Sequence, residues 1–191
     1  YETQSSYSIR VETTDAAGET YQKELTINIG DVYDPGTIGN DTIRGASGDD
    51  TISGLEGDDH LYGYAGHDEL NGDAGKDKLY GGDGNDTLLG GDGNDLLKGN
   101  AGNDELNGGP GSDRLYGNAG DNLLNGGPGR DKLYGGLGVD TFVLEEGKGR
   151  DKIYIFVAGT DNIKLEGGLV FGDLNILQKG SSTLIEVAAT G

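Results

Sequence analysis

The chain has 191 residues, 39 of them glycine, and its 34 acidic against 14 basic side chains leave a formal charge of −20. That charge excludes nucleic acid as a general partner, and no run of ~20 apolar residues is present to span a membrane. Without cysteine there are no disulfide staples, and low hydrophobicity at this charge predicts disorder unless something neutralises the acids.

The first segment, residues 1–35, alternates. Tyr7, Ile9 and Val11 stand between polar residues, as do Leu25, Ile27 and Ile29, around a turn at Asp15-Ala16-Ala17-Gly18. The pattern predicts a β-hairpin with one buried face. Its wording, with Thr14-Asp15 between the runs and Asp31-Val32 after them, resembles the last two strands of a cadherin-like (Ig-like) sandwich. The resemblance implies that residues 1–35 are the remnant of such a domain. A lone hairpin is marginal in water. It docks on the segment that follows, completes a missing sandwich, or inserts into another molecule. The chain opens on Tyr1 rather than Met and shows no signal peptide, as expected of a fragment.

From 36 to 143 one nine-residue pattern is written twelve times without a gap. Place one is always glycine: Gly36, Gly45, Gly54, Gly63, Gly72, Gly81, Gly90, Gly99, Gly108, Gly117, Gly126 and Gly135. Place four is glycine again: Gly39, Gly48, Gly57, Gly66, Gly75, Gly84, Gly93, Gly102, Gly111, Gly120, Gly129 and Gly138. Place six is aspartate except at Asn122, and place eight is large and apolar, from Ile43 to Phe142. Each unit reads G-x-x-G-x-D-x-U-x, with U apolar.

Such a unit is too small to bury anything alone, but stacked copies align their U residues into a continuous core. It divides into a glycine-rich turn and a three-residue strand whose middle side chain points opposite to its neighbours. Two units make one 18-residue turn of a coil with two parallel sheets. Glycine at places one and four lets the turn bend where a side chain would clash, and bares backbone carbonyls. The acids then stack. Asp41, Asp59, Asp77, Asp95, Asp113 and Asp131 line one edge, and Asp50, Asp68, Asp86, Asp104, Asn122 and Asp140 the other. Left bare, carboxylates at strand spacing repel. Calcium takes 6–8 carboxylate and carbonyl oxygens in flexible geometry, whereas magnesium wants a tighter octahedron. Zinc wants His or Cys, and the chain has two His and no Cys. The ladder therefore points to calcium, and to a coil that is unfolded without it.

Residues 36–143 resemble the hemolysin-type calcium-binding family known as RTX, repeats in toxin. The resemblance implies a right-handed all-β parallel β-roll in which successive turns share each ion through Asp side chains and glycine-loop carbonyls. Carried onto this chain, it implies up to about ten internal calcium sites, with the Asp residues of both edges, Asn122 and the glycines of places one and four as ligands. Asn122 is expected to keep an oxygen ligand but lose a charge, weakening the two sites it flanks. The family's second glycine is replaced at Tyr64, Asp73, Asn100 and Asn118, which is expected to make those turns form less easily.

Residues 144–191 lose the period and are expected to cap the coil, because bare strand edges invite aggregation. The segment from Asp151-Lys152-Ile153-Tyr154-Ile155-Phe156 to Gly159-Thr160-Asp161 resembles the stretch that follows the coil in secreted RTX proteins. Asp151 and Asp161 keep that pattern as ligands for a further ion, while Ile155 stands where the pattern has an acid. Two strands at 174–178 and 183–187 follow, joined by Lys179-Gly180-Ser181-Ser182.

Places seven and nine point outward, and alternate units belong to opposite sheets. One sheet gathers Lys78, Lys98, Arg114 and Lys132 beside Tyr62, Tyr80, Tyr116 and Tyr134, with no acid; the other is neutral to acidic. Tyr and Lys are ordinary exposed strand residues that ladder with like neighbours. The alternative is a binding strip, with tyrosines on sugar rings or protein and cations on anionic groups. His60 and His67 are expected to be bystanders.

No nucleophile–base pair stands out, and each carboxylate has near-copies in the same setting, so no enzyme is expected. The main reading is a calcium-folded structural or binding module of a secreted, extracellular bacterial protein, exported by a type I system as the resemblance implies. A subunit of a filament, surface layer or adhesin, or the polysaccharide-anchoring module of a larger enzyme, is the alternative. Partners are then calcium, other copies of the chain, or an anionic polysaccharide.

Overall fold

The computed structural model describes residues 6–14, 20–28, 33–145, 151–170, 172, 174–179 and 182–187. Ser6–Thr14 and Thr20–Asn28 pair antiparallel, with Ile9 opposite Leu25, as a two-stranded sheet of their own. The expected hairpin turn, at 15–18, lies outside the described residues.

Two parallel sheets make the coil. Strands such as Thr51–Ser53, Glu69–Asn71 and Thr87–Leu89 build one. Thr42–Arg44, His60–Ala65, Lys78–Asp83 and Leu96–Ala101 begin the other. Pairing is in register at eighteen residues, as Leu61 with Leu79 and Leu88 with Leu106. That register follows from composition. A three-residue strand with one apolar centre has only one pairing that keeps the apolar column inside. Ile43, Ile52, Leu61 and their equivalents through Leu133 and Phe142 form one buried cluster between the sheets. Each leucine taken from water contributes about 2 kcal/mol.

The parallel stack begins before the first repeat and continues past the last. Tyr33–Pro35 pairs with Thr51–Ser53. Lys152–Tyr154 pairs with Lys132–Leu137, setting Ile153 beside Leu133, and Asn162–Glu166 pairs with Thr141–Glu145, setting Ile163 beside Phe142. Gly149-Arg150-Asp151-Lys152-Ile153-Tyr154 is almost a copy of Gly129-Arg130-Asp131-Lys132-Leu133-Tyr134. Small insertions hide it from a count in nines. Leu174–Lys179 and Ser182–Val187 then form an antiparallel hairpin against Lys152–Tyr154, closing that sheet's edge.

Candidate metal centre

Within each loop, place two decides how the backbone turns. In every unit from the third to the twelfth it has left-handed φ, whether it is glycine, as Gly82 at 131°, or not, as Leu55, Tyr64, Asp73, Asn100 and Asn118 at 65–81°. Asn and Asp tolerate this region; Tyr and Leu are strained there. The residues expected to burden the turn do occupy its costly position.

The place-six acids form two ladders. Each backbone N–H donates to Oδ1 of the acid one turn on, as Asp59 to Asp77 (2.8 Å), Asp77 to Asp95 (2.8 Å) and Asp68 to Asp86 (2.9 Å). The side chains are buried, none from Asp50 to Asp140 being more than 2% exposed. Oδ1 is therefore committed, and Oδ2 is not. Asp59, Asp68, Asp77, Asp86, Asp95, Asp104, Asp113, Asp131 and Asp140 each hold a buried Oδ2 without a hydrogen-bond partner. Leaving so many acceptors unpaired is costly. A repeated buried acceptor of one polarity fits a repeated cation.

Asn122 is the contrast within the ladder. The hydrogen-bond network orients its amide, with Oδ1 accepting from the Asp104 N–H (3.0 Å). Its Nδ2, standing where its neighbours have the orphaned Oδ2, donates to the Gly120 carbonyl (3.0 Å) and to Asp140 Oδ1 (2.9 Å). In the other units those same groups are all acceptors. They converge on a positive charge. Asn122 Oδ1 accepts the same backbone N–H as Oδ1 of its Asp neighbours, and its Nδ2 sets a donor toward Asp140.

Place-one glycine leaves the room beside each Oδ2 open. A Cβ at Gly99 or Gly135 would collide with Oδ2 of the acid in the same unit, Asp104 or Asp140. Among the described residues no three His, Cys, Asp or Glu side chains gather at one point. Two carboxylates per gap must be completed by carbonyls, which is calcium's oxygen chemistry.

Burial pushes the acids up. Asp77 and Asp104 reach about 7, and Asp68, Asp95 and Asp113 about 6, each opposed by the N–H bond to Oδ1. Burial likewise raises Asp131, which faces Asp151. A folded pKa above the unfolded one means that stability is present below the unfolded value, near pH 4, and is lost as pH rises through 6–7. Without metal, strand signal is therefore expected at pH 4 and lost by pH 8. With calcium the dependence reverses, since protons compete for the same oxygens. Circular dichroism across pH 4–8, with chelator and with calcium, checks both arms.

Alongside runs a ladder that the sequence reading missed. Place five passes N–H donors between turns: His67 to Asp49 Oδ1 (2.6 Å), Asn85 to His67 Nδ1 (2.9 Å), Asn103 to Asn85 Oδ1 (2.8 Å). The signal was there, as Asn, Asp or His at most fifth places. His67 is a rung, and His60 Nε2 lies 3.0 Å from Lys78 Nζ.

On the outer face of the cationic sheet, Tyr62 and Tyr80 stack at 4.9 Å between centroids, Tyr116 and Tyr134 at 4.5 Å, and Tyr134 and Tyr154 at 4.6 Å. Lys98 fills the missing rung, 5.5 Å from the Tyr80 centroid and 5.9 Å from that of Tyr116, and Arg44 caps Tyr62 at 5.4 Å. A shallow groove beside them is lined by Leu96, Lys98, Asn100, Arg114, Tyr116 and Asn118. Ring faces within the stack meet each other. The strip thus offers outward phenol edges and cations, not free faces for sugar rings.

The family model of the RTX calcium-binding nonapeptide repeat matches the chain in overlapping copies across residues 35–150. No curated protein matches it. Among solved structures it is similar to the crystal structure of extracellular lipase LipA from Serratia marcescens, at 20% identity and a TM-score of 0.39. That likeness covers 84% of this chain but only 38% of the lipase.

Proposed function

This chain belongs to the RTX calcium-binding nonapeptide repeat family, and on that premise we propose that it is a calcium-dependent structural and binding module of a secreted bacterial protein. The repeat is a calcium-binding structural unit of secreted proteins, which supports a place outside the cell. The observation that carries the reading is the row of buried, partnerless Oδ2 atoms, which makes folding conditional on a cation. Millimolar calcium outside a cell satisfies that condition and cytosolic calcium does not, so the chain would leave unfolded through a type I exporter and fold outside. It performs no catalysis itself: a catalytic centre is a unique constellation, whereas these acids sit in repeated settings.

The stacked column favours a second layer to this reading, contact through the cationic face. The partner would be an anionic polysaccharide or another copy, as in a filament, surface layer or adhesin. Tyr62, Tyr80, Tyr116 and Tyr134 are locked ring on ring, so little ordering is lost on binding. Lys78, Arg114 and Lys132 share a neighbouring register column. Sedimentation of the calcium-loaded chain, alone and with an acidic polysaccharide, tests this. Changing the four tyrosines to Ser should leave the calcium-folded spectrum intact and weaken association about tenfold or more. Association unchanged by the substitution, or equally strong in chelator, would sink the binding role.

A further inference from the structure

Metal seats and repeat units do not coincide in this chain, and the mismatch is visible at both ends of the ladder. At the N-terminal end the acids are closed. Asp41 Oδ2 accepts from the Thr37 N–H (2.7 Å) and Oγ1 (2.8 Å), and Asp50 Oδ2 accepts from the Ala46 N–H (2.6 Å). Thr37 and Ala46 occupy place two, yet neither has the left-handed φ that begins at Leu55. With the loop unflipped, the place-two N–H turns in and supplies the donor that a cation would otherwise replace. From Asp59 to Asp140 the loop is flipped and, Asn122 apart, Oδ2 is bare.

At the other end the last repeats are open. Asp131 and Asp140 keep orphaned Oδ2 atoms although the nine-residue pattern offers no later acid. The fold supplies one beyond each. Asp131 N–H donates to Asp151 Oδ1 (3.1 Å) and Asp140 N–H to Asp161 Oδ1 (3.2 Å), the rung contact seen throughout the ladder. Asp151 is 4% exposed and Asp161 9%. Asp161 then ends its edge as Asp41 and Asp50 begin theirs, its Oδ2 accepting from the Val157 N–H (2.8 Å).

Asn122 fixes which gap each Oδ2 serves. Its Nδ2 reaches forward to Asp140 Oδ1 and to the Gly120 carbonyl of its own unit, so an open Oδ2 belongs to the gap on its C-terminal side. We propose that the calcium ladder is shifted one rung toward the C-terminus, with two seats formed by Asp131 with Asp151 and by Asp140 with Asp161. The gaps Asp41–Asp59, Asp50–Asp68 and Asn122–Asp140 are closed by N–H donors and hold no ion. Loading is then one calcium for each orphaned oxygen, nine among the described residues. The two terminal seats tie the residues after the repeat into the coil, so calcium also organises the cap. This rests on the reading that calcium sits between successive turns.

Native mass spectrometry of the calcium-loaded full chain, at the lowest calcium that saturates it, counts the ions. Asp151→Asn and Asp161→Asn should each hold one ion fewer than the parent. Asp41→Asn and Asp50→Asn should hold as many as the parent, and Asn122→Asp one more. A loss from the Asp41 and Asp50 variants with none from the Asp151 and Asp161 variants overturns the shift, as does an unchanged count in Asn122→Asp. Should a C-terminal variant misfold, the parent's count and the Asp41, Asp50 and Asn122 variants still decide. A parent that binds no calcium would instead overturn calcium-dependent folding itself.

Discussion

In excess chelator at neutral to alkaline pH the chain is expected to give a coil-like circular-dichroism spectrum, turning strand-rich as calcium reaches ~0.1–1 mM. The effect should be nearly all-or-none, because few interactions hold the coil without the ion. Each turn buries two apolar side chains worth about 2 kcal/mol apiece. Against them stand two acids with a buried Oδ2 and no partner, in a coil whose net charge opposes its own compaction. An isolated buried carboxylate costs more than one leucine returns. The ladder cannot solve this by itself, because each Oδ1 from Asp59 onward already takes the N–H of the turn before. Nearest-neighbour stacking makes the transition cooperative, since a turn folds well only against a folded turn. A spectrum unchanged between excess chelator and tenfold excess calcium would show that the acids are satisfied some other way.

Much of this was legible in the sequence because a period of nine fixes register twice over. It places Leu61 on Leu79 in the core and Asp59 on Asp77 at the edge, and the pairing follows both. What escaped was what side-chain periodicity does not encode. The place-two flip is a backbone choice shared by Gly82 and Tyr64, residues of opposite preference, so the stacked neighbours impose it. Asn122 was read as an oxygen ligand lacking a charge, and that reading did not include the hydrogen bonds of its amide. Only the N–H of Asp104 shows that its oxygen is spent. Asp151 and Asp161 were singled out through the resemblance of the flanking segment, not through the count of nines, because the rung spacing lengthens from 18 residues to 20 and 21. The strands absorb the insertions in the loops and still pair Ile153 with Leu133. Tyr154 was likewise missed as the last ring of the aromatic column.

Gly90→Ala is expected to damage the coil far more than Gly39→Ala, although both replace a motif glycine by one methyl group. Gly90 lies mid-ladder, where a Cβ would stand 2.7 Å from Asp95 Oδ2 and would meet the Gly108 carbonyl of the next turn. Neither obstacle is the free end of a flexible side chain. Asp95 is 2% exposed and its Oδ1 is held by the Asp77 N–H, so the carboxylate has nowhere to swing. The methyl group therefore enters the space where a cation would meet Asp95 Oδ2. It costs the strain of overpacking, about 1–3 kcal/mol, and also the ion whose binding drives folding of that turn. Gly39 is in the first loop, with only Thr37 Oγ1 near its added Cβ, at 3.9 Å. There the methyl group fills open space. Calcium titrations followed by circular dichroism should show the Gly90 variant folding only at several-fold higher calcium, or melting well below the parent. The Gly39 variant should stay within experimental error of the parent. Equal effects would mean that the glycines serve chain flexibility alone, and that the room beside Asp95 is not a seat.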